Sequence, residues 1–282
     1  MAGPENINLA ILGAGRIGRV HARAISGNDR AVLAAVSDPI QAAADDVALH
    51  FGATPRTVDD IIADPAIDAV VICTPTDLHA DQIEQCARAG KAIFCEKPID
   101  LDADRVRDCL KVVADCDASW MVGFNRRFDP HFMALKAAIL DGRIGKPEMA
   151  IITSRDPGAP PADYIKRSGG IFRDRMIHDF DMAVFLMGEL PESVMATGSV
   201  LTDPEIATLG DFDSATAILR WADGRQVSIS NSRRAVYGYD QRIEVHGSDG
   251  MVAAQNEHPI NIEVATSTGY ERPPLHDFFM TR

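Results

Sequence analysis

The apolar run Ile7–Leu12 passes without a spacer into Gly13-Ala-Gly-Arg-Ile-Gly18, and helical spacing begins immediately afterwards. Three glycines wedged between a strand and a helix demand a turn in which the backbone comes closer than side chains allow, which restricts the start of the chain to a strand–turn–helix unit. The same alternation then repeats. Val32–Val36, Ala69–Cys73, Ala92–Cys95 and Trp120–Val122 read as strands, while Val20–Ile25, Ala42–Phe51, Val58–Ala63, His79–Ala89 and Ala103–Ala114 have helical spacing. Near-continuous apolar strands separated by helices indicate a parallel sheet covered on both faces, so the fold class is α/β with a Rossmann-type doubly wound sheet at the N-terminal end.

After Gly123 the pattern changes. A helix is expected over Pro130–Leu140, an alternating strand over Met149–Ser154, a Pro/Gly loop over Asp156–Pro161, and a helix over Arg173–Met187 that closes at Gly188. Period-two runs follow at Val194–Leu201, Ser214–Trp221, Gln226–Ser232, Arg242–His246, Met251–Gln255 and Ile260–Thr266, joined by short turns such as Ala222-Asp-Gly-Arg225. The expectation is a first domain over 1–122 and an α+β second domain over 123–282 whose open sheet is mostly antiparallel. One face of that sheet has to be covered, either by helices or by another subunit.

Bulk properties remove several functions. A net charge of −13 without a basic cluster argues against nucleic acid as a partner. Met-Ala-Gly-Pro-Glu-Asn at the start lacks a cationic leader, and no apolar run reaches the length of a membrane span, so the expectation is a cytoplasmic protein. The five cysteines form no C-x-x-C pair and read as reduced, buried thiols, with neither a disulfide framework nor a metal site expected.

The glycine turn carries chemistry as well as shape. A helix N-terminus offers unpaired N–H groups and a positive dipole end to a pyrophosphate, and Gly13, Gly15 and Gly18 let the phosphates approach. Asp38, at the end of the second strand and twenty residues past Gly18, can accept from ribose hydroxyls and repel a 2′-phosphate, which favours NAD over NADP. Arg23 and Arg30 keep a 2′-phosphate conceivable. Thr74 and Pro75 stand at the carboxyl end of a later strand, on the ligand-facing edge of such a sheet, although Asp77 there also suits a helix cap.

Lys97 lies on the same edge, between Glu96 and Pro98, and can donate to a substrate oxygen. Asp174 and His178 are four residues apart in a segment with helical spacing, so both side chains are expected to project from one face of a single helix. Histidine is suited to removing a hydroxyl proton near neutral pH, and hydride transfer needs no metal. The pair also fits an ordinary helix-surface contact.

These stretches resemble the glucose-fructose oxidoreductase/inositol dehydrogenase (Gfo/Idh/MocA) family, through Gly13–Gly18, Cys73-Thr-Pro75, Glu96-Lys-Pro98, Gly123-Phe-Asn-Arg-Arg127, and Gly169-Gly170 followed by Asp174, His178, Asp179 and Asp181. A narrower similarity, to the inositol 2-dehydrogenases of that family, rests on Ser154-Arg-Asp-Pro157, Tyr164-Ile-Lys166, Phe172-Arg-Asp174, Ile177–Met182 and Asn231–Asp240. The resemblance implies an NAD-dependent oxidation of myo-inositol to its 2-ketone (scyllo-inosose), with Lys97, Asp174 and His178 as the catalytic trio and His178 as the base. It implies cofactor contacts at Gly13, Gly15, Arg16, Ile17, Gly18, Asp38, Thr74, Pro75, His79, Glu96 and Lys97. Polyol contacts are implied at Arg127, Asp156 and Tyr237, the first two of which could equally be structural ion pairs. A homo-oligomer is implied too. Family members continue with further helices beyond the segment matching Pro274–Phe279, so a second domain lacking its last helices is expected here. Two alternatives remain open on sequence: a dehydrogenase of another polyol or sugar, and a catalytically silent dinucleotide-binding relative.

Overall fold

The structure, a computed structural model, describes residues 6–275. The N-terminal stretch read above against a leader, residues 1–5, and positions 276–279 of the family-like C-terminal segment lie outside the described residues. The chain divides into two compact units between Gly123 and Phe124.

The first unit runs β1 (Ile7–Leu12), α1 (Arg16–Ser26), β2 (Ala31–Ser37), α2 (Gln41–Phe51), β3 (Thr54–Pro55), α3 (Val58–Ala63), β4 (Ala69–Ile72), α4 (His79–Arg88), β5 (Ala92–Cys95), α5 (Ala103–Asp115) and β6 (Trp120–Val122). Its sheet has the order β3-β2-β1-β4-β5-β6, and every pairing is parallel. The strand order reverses between β1 and β4, which opens a crevice at their carboxyl ends. Alternate residues of β1 serve opposite cores. Ile11 packs with Ala22, Ile25, Val36 and Val47, whereas Leu12 packs with Ile72, Ile83, Cys86 and Val113. Burial on both faces is the reason these strands are apolar throughout. Cys86, Cys95 and Cys109 are buried, and burial pushes the Cys86 thiol up to about 12 and the Cys109 thiol to about 11.

The second unit contains α6 (Pro130–Leu140), β7 (Pro147–Arg155), α7 (Ala162–Ser168), α8 (Gly170–Asp174), α9 (Ile177–Met187), β8 (Ser193–Ser199), α10 (Pro204–Thr208), β9 (Ser214–Arg220), β10 (Gln226–Ser232), β11 (Asp240–Gly247), β12 (Gly250–Ala254), β13 (Val264–Thr266) and β14 (Gly269–Glu271). Strands β12-β11-β7-β10-β9-β8 form one sheet, antiparallel except for the β7–β10 pair. Ala150, Ile152, Leu219, Val227, Ile229 and Val245 point to one face, where Phe132, Leu135, Met182 and Leu186 of α6 and α9 cover them. The opposite face leaves Met149, Ile151, Met195, Ile218 and Met251 exposed.

Short elements such as β3 and α7 have no counterpart in the expected pattern, and three further differences stand out. The helix expected over Arg173–Met187 is two helices, α8 and α9, with a joint at Arg175 and Met176. There the Met176 N–H donates to Ile171 O five residues back, and the His178 N–H to Arg175 O three back, so Asp174 and His178 do not sit on one continuous helix. The strand expected over Ile260–Thr266 shrinks to β13, paired with β14 in a small separate sheet. Finally, α10 is held at its start by the Asp203 carboxylate, which accepts from the Glu205 N–H, a capping signal in a segment too short to show periodicity.

Candidate active site

The first unit builds a nucleotide cradle at the carboxyl ends of β1, β4 and β5. Gly13 has φ of 98°, and a Cβ there would stand 2.6 Å from Cys73 O. A Cβ on Gly18 would stand 1.9 Å from Gly13 O, so the turn closes only with glycine at both places. Gly15 differs: a Cβ there would meet nothing within 4 Å, so its missing side chain leaves open space above the turn. Gly15 begins α1 with no side-chain cap, and the first turn carries no acidic residue. The positive dipole end of α1 is therefore not offset by a carboxylate of its own first turn, where Arg16 is exposed and Ile17 half-buried.

Asp38 lies against this turn. Its Oδ2 accepts from the Ala14 N–H at 2.7 Å and its Oδ1 from the Ile40 N–H at 2.8 Å, which fixes the carboxylate beside the glycine turn. Thr74 follows β4 and donates its hydroxyl to Gln82 Oε1 at 2.6 Å, next to the exposed Pro75. His79 is the exception among the candidate cofactor residues. It is buried, and its two ring nitrogens face Thr74 O and Pro98 O, each at 2.7 Å, so it clamps those two loops together instead of presenting a nitrogen to a ligand. Glu96, at the end of β5, is held by His21 Nε2 at 2.6 Å, with Gly123 close behind: a Cβ there would stand 3.2 Å from the carboxylate. Lys97 is half-buried on the same edge. An uncapped helix start, a space that any Cβ on Gly15 would fill and a fixed carboxylate at the end of β2 together fit a dinucleotide.

In the second unit Asp174 and His178 are both buried. The Tyr164 hydroxyl donates to Asp174 Oδ1 at 2.7 Å, Arg233 Nη1 stands 3.8 Å from Oδ2, and the Phe124 ring meets His178 edge-on at 6.3 Å. Around them lies a buried polar network. Arg126 Nη1 and Asn231 Nδ2 donate to Asp179, which has no exposed surface, while Arg126 Nη2 donates to Ser154 Oγ at 2.8 Å and Ser154 Oγ donates to Gln241 Oε1 at 3.0 Å. Arg233 Nη2 donates to Asp211 Oδ2 at 2.9 Å. Arg175 pairs with Asp156 through Nη1 and donates through Nη2 to Ser154 Oγ at 3.3 Å. Burial, reinforced by the charge of Arg126, brings the Arg175 guanidinium down to about 9.

The three candidate polyol residues differ in surroundings. Asp156 belongs to this network. Arg127 makes a bidentate pair with Asp181, at 2.8 and 2.6 Å, and lies 5.2 Å from the Phe185 ring centre. Tyr237 is half-exposed, donating to Asp240 Oδ2 at 2.9 Å and accepting from Arg155 Nη1 at 3.0 Å. Arg126, Arg175, Arg233, Asp179 and Asp211 were not foreseen as parts of the site. Several of them fall inside the stretches that carry the family resemblance, which was the available signal. Among the described residues there is no group of three His, Cys, Asp or Glu side chains placed to hold a metal, and no helix long and apolar enough to cross a membrane.

Comparison with known proteins agrees with this geometry in both units. Residues 7–124 match the model of the oxidoreductase family with an NAD-binding Rossmann fold, and residues 132–253 match the GFO/IDH/MocA C-terminal domain. The chain is 68% identical over 276 residues to the inositol 2-dehydrogenase of Rhizobium meliloti, covering 98% of this chain and 84% of that protein. Among solved structures, a myo-inositol dehydrogenase from Corynebacterium glutamicum superposes with a TM-score of 0.93 at 42% identity, covering 97% of this chain and 83% of the other. A scyllo-inositol dehydrogenase from Lactobacillus casei with bound NAD(H) and scyllo-inositol gives 0.88 at 31% identity, covering 96% and 82%. With both units matched, and with identity this high along almost the whole chain, the protein belongs to the GFO/IDH/MocA family of NAD-dependent oxidoreductases.

Proposed function

We propose that this enzyme oxidises myo-inositol at one ring hydroxyl to the 2-ketone, scyllo-inosose. The observation that carries the reading is the 68% identity to an inositol 2-dehydrogenase over 98% of the chain. The polar character of the buried floor around Asp174 and His178 supports it, because a ring of hydroxyls asks for donors and acceptors rather than apolar surface.

Gly13, Gly15, Arg16, Ile17 and Gly18 would hold the pyrophosphate of bound NAD, Asp38 the adenosine ribose, and Thr74, Pro75, Glu96 and Lys97 the nicotinamide half, with His79 held against Thr74 O. Bound NAD supplies the hydride acceptor. His178 removes the proton of the reacting hydroxyl, so the alcohol loses one hydride and one proton and leaves as a ketone. Lys97 donates to the same oxygen as negative charge develops on it. Asp174, fixed by Tyr164, orients the substrate and the base. Arg127, Asp156 and Tyr237 take further ring hydroxyls.

The division at 1–122 and 123–282 assigns cofactor binding to the first domain and substrate binding and assembly to the second. In the cell the enzyme works in the cytoplasm as a homo-oligomer. The sheet face bearing Met149, Ile151, Met195, Ile218 and Met251 is the surface assigned to a second copy, because an apolar patch of this kind on a lone subunit favours association. Sedimentation should then report more than one chain per particle.

The test of the reaction is the absorbance of reduced nicotinamide when the protein meets NAD and myo-inositol at mildly alkaline pH. His178→Ala and Lys97→Ala should each lower turnover by roughly 10²–10⁴-fold while NAD binding is retained. Protein that binds NAD yet reduces none of it with any inositol refutes the reading.

A further inference from the structure

Arg175 occupies the joint between α8 and α9, one residue after Asp174 and three before His178. Its backbone ties into both helices: its N–H donates to Ile171 O at 3.1 Å and its carbonyl accepts from the His178 N–H at 3.2 Å. The side chain leaves this joint and runs, buried, to the end of β7. There Nη1 pairs with Asp156 Oδ2, and Nη2 donates to Ser154 Oγ, a hydroxyl that already accepts from Arg126. A guanidinium set beside another guanidinium and away from water is costly to keep, and an apolar side chain of similar length would fill the same space more cheaply.

Asp156 shows what the charge is for. Its backbone is locked on both sides, the N–H donating to Ser232 O at 3.0 Å and the carbonyl accepting from the Ala235 N–H at 2.7 Å. Arg175 engages only one of its carboxylate oxygens. The other, Oδ1, is buried and has no hydrogen-bond partner within the protein. A buried carboxylate oxygen left open beside a fixed counter-ion is an acceptor held ready for a donor from outside the chain.

We infer that Arg175 is a positioning and specificity residue: it fixes Asp156 so that Oδ1 accepts one particular hydroxyl of the polyol ring, and by the same side chain it sets the substrate acceptor relative to the helix joint that carries Asp174 and His178. The inference rests on the polyol reading given above. The selectivity comes from geometry. A ring hydroxyl of the right position and orientation satisfies Oδ1, whereas an analogue lacking it leaves a desolvated carboxylate oxygen unpaired.

The experiment compares wild type, Arg175→Met, Arg175→Lys and Asp156→Asn on myo-inositol and on a set of mono-deoxy inositols, measuring kcat and KM separately together with Tm and NAD affinity. Wild type should discriminate by about 10- to 100-fold in kcat/KM against the one deoxy isomer missing the hydroxyl that Asp156 takes. Arg175→Met should raise KM for myo-inositol by about 10-fold or more and erase that discrimination, with NAD affinity unchanged, and Arg175→Lys should restore part of it. Should Arg175→Met fail to fold, Asp156→Asn carries the same expectation of lost discrimination in a side chain of equal size. A variant that lowers Tm but keeps the wild-type ranking of deoxy isomers makes Arg175 a purely structural residue and overturns the inference alone. Wild type that oxidises no inositol overturns the polyol reading and this inference with it.

Discussion

Replacing Asp179 by asparagine should destabilise the second unit severely, and the structure gives the size of the effect. Asp179 has no exposed surface, and its partner Arg126 is 5% exposed. The carboxylate accepts from Arg126 on one oxygen and from Asn231 on the other. An amide of the same shape cannot neutralise the guanidinium and turns an NH₂ group toward a donor, so Arg126 keeps its desolvation cost without its counter-ion. Breaking one side of such a buried pair costs about 3–5 kcal/mol, which for a unit of this size lowers Tm by roughly 10 °C. Asp108→Asn is the control, since its pair with Lys111, at 2.8 Å, has side chains 66% and 72% exposed. That change should cost less than about 1 kcal/mol. Thermal and urea unfolding followed by circular dichroism measures both. Adding Arg126→Met to Asp179→Asn should recover stability, because the stranded charge goes too. An Asp179→Asn protein within about 1 kcal/mol of wild type, or a double variant whose losses simply add, would falsify the claim that this pair anchors the first turn of α9, where His178 sits.

The glycine turn makes a paired prediction. Gly18→Ala should weaken folding of the first unit as well as NAD binding, because its Cβ meets Gly13 O at 1.9 Å, whereas Gly15→Ala, with nothing within 4 Å, should leave Tm unchanged and lower NAD affinity alone, as titration calorimetry with NAD can show. Acid should act through Asp213. Burial alone would raise its pKa, but the N–H groups of Leu201, Thr202 and Asp203 and the Ser214 hydroxyl outweigh it and hold the carboxyl well below the ordinary 3.8. A folded-state pKa depressed in this way contributes stability that is present above the unfolded value and lost as pH falls through the folded one, so Tm should decline below about pH 4 and Asp213→Asn should flatten that decline. An unchanged acid limb in the variant would exclude Asp213 as its source.

The features legible from sequence are those settled by neighbours along the chain. Strands β1, β5 and β6 and helices α3 and α6 fall where their apolar spacing and caps put them, and the cradle was readable because Gly13, Gly15 and Gly18 act within six residues. Strand β3 escaped notice because two residues, Thr54 and Pro55, carry no period. The α8–α9 joint was hidden for a different reason. Residues 173–187 keep helical spacing throughout, and what distinguishes Arg175 is a partner nineteen positions earlier, Asp156. Residues Arg126, Ser154, Asp179, Asn231 and Gln241 likewise meet across 28 to 87 positions, a separation that local patterning does not record.

All five cysteines lie before Gly123, whereas the two tryptophans divide, Trp120 in the first unit and Trp221 in the second. Trp221 is buried, with its Nε1 donating to Glu189 O at 3.0 Å. Thiols held protonated inside a core react with alkylating reagents only when that core opens, so the labelling rate of Cys86, Cys95 and Cys109 times the opening of the nucleotide unit and of nothing else. A Trp120→Phe variant would leave fluorescence to Trp221 and so to the other half. The chain thus contains a separate clock for each of its halves, and adding NAD should slow the thiol clock first.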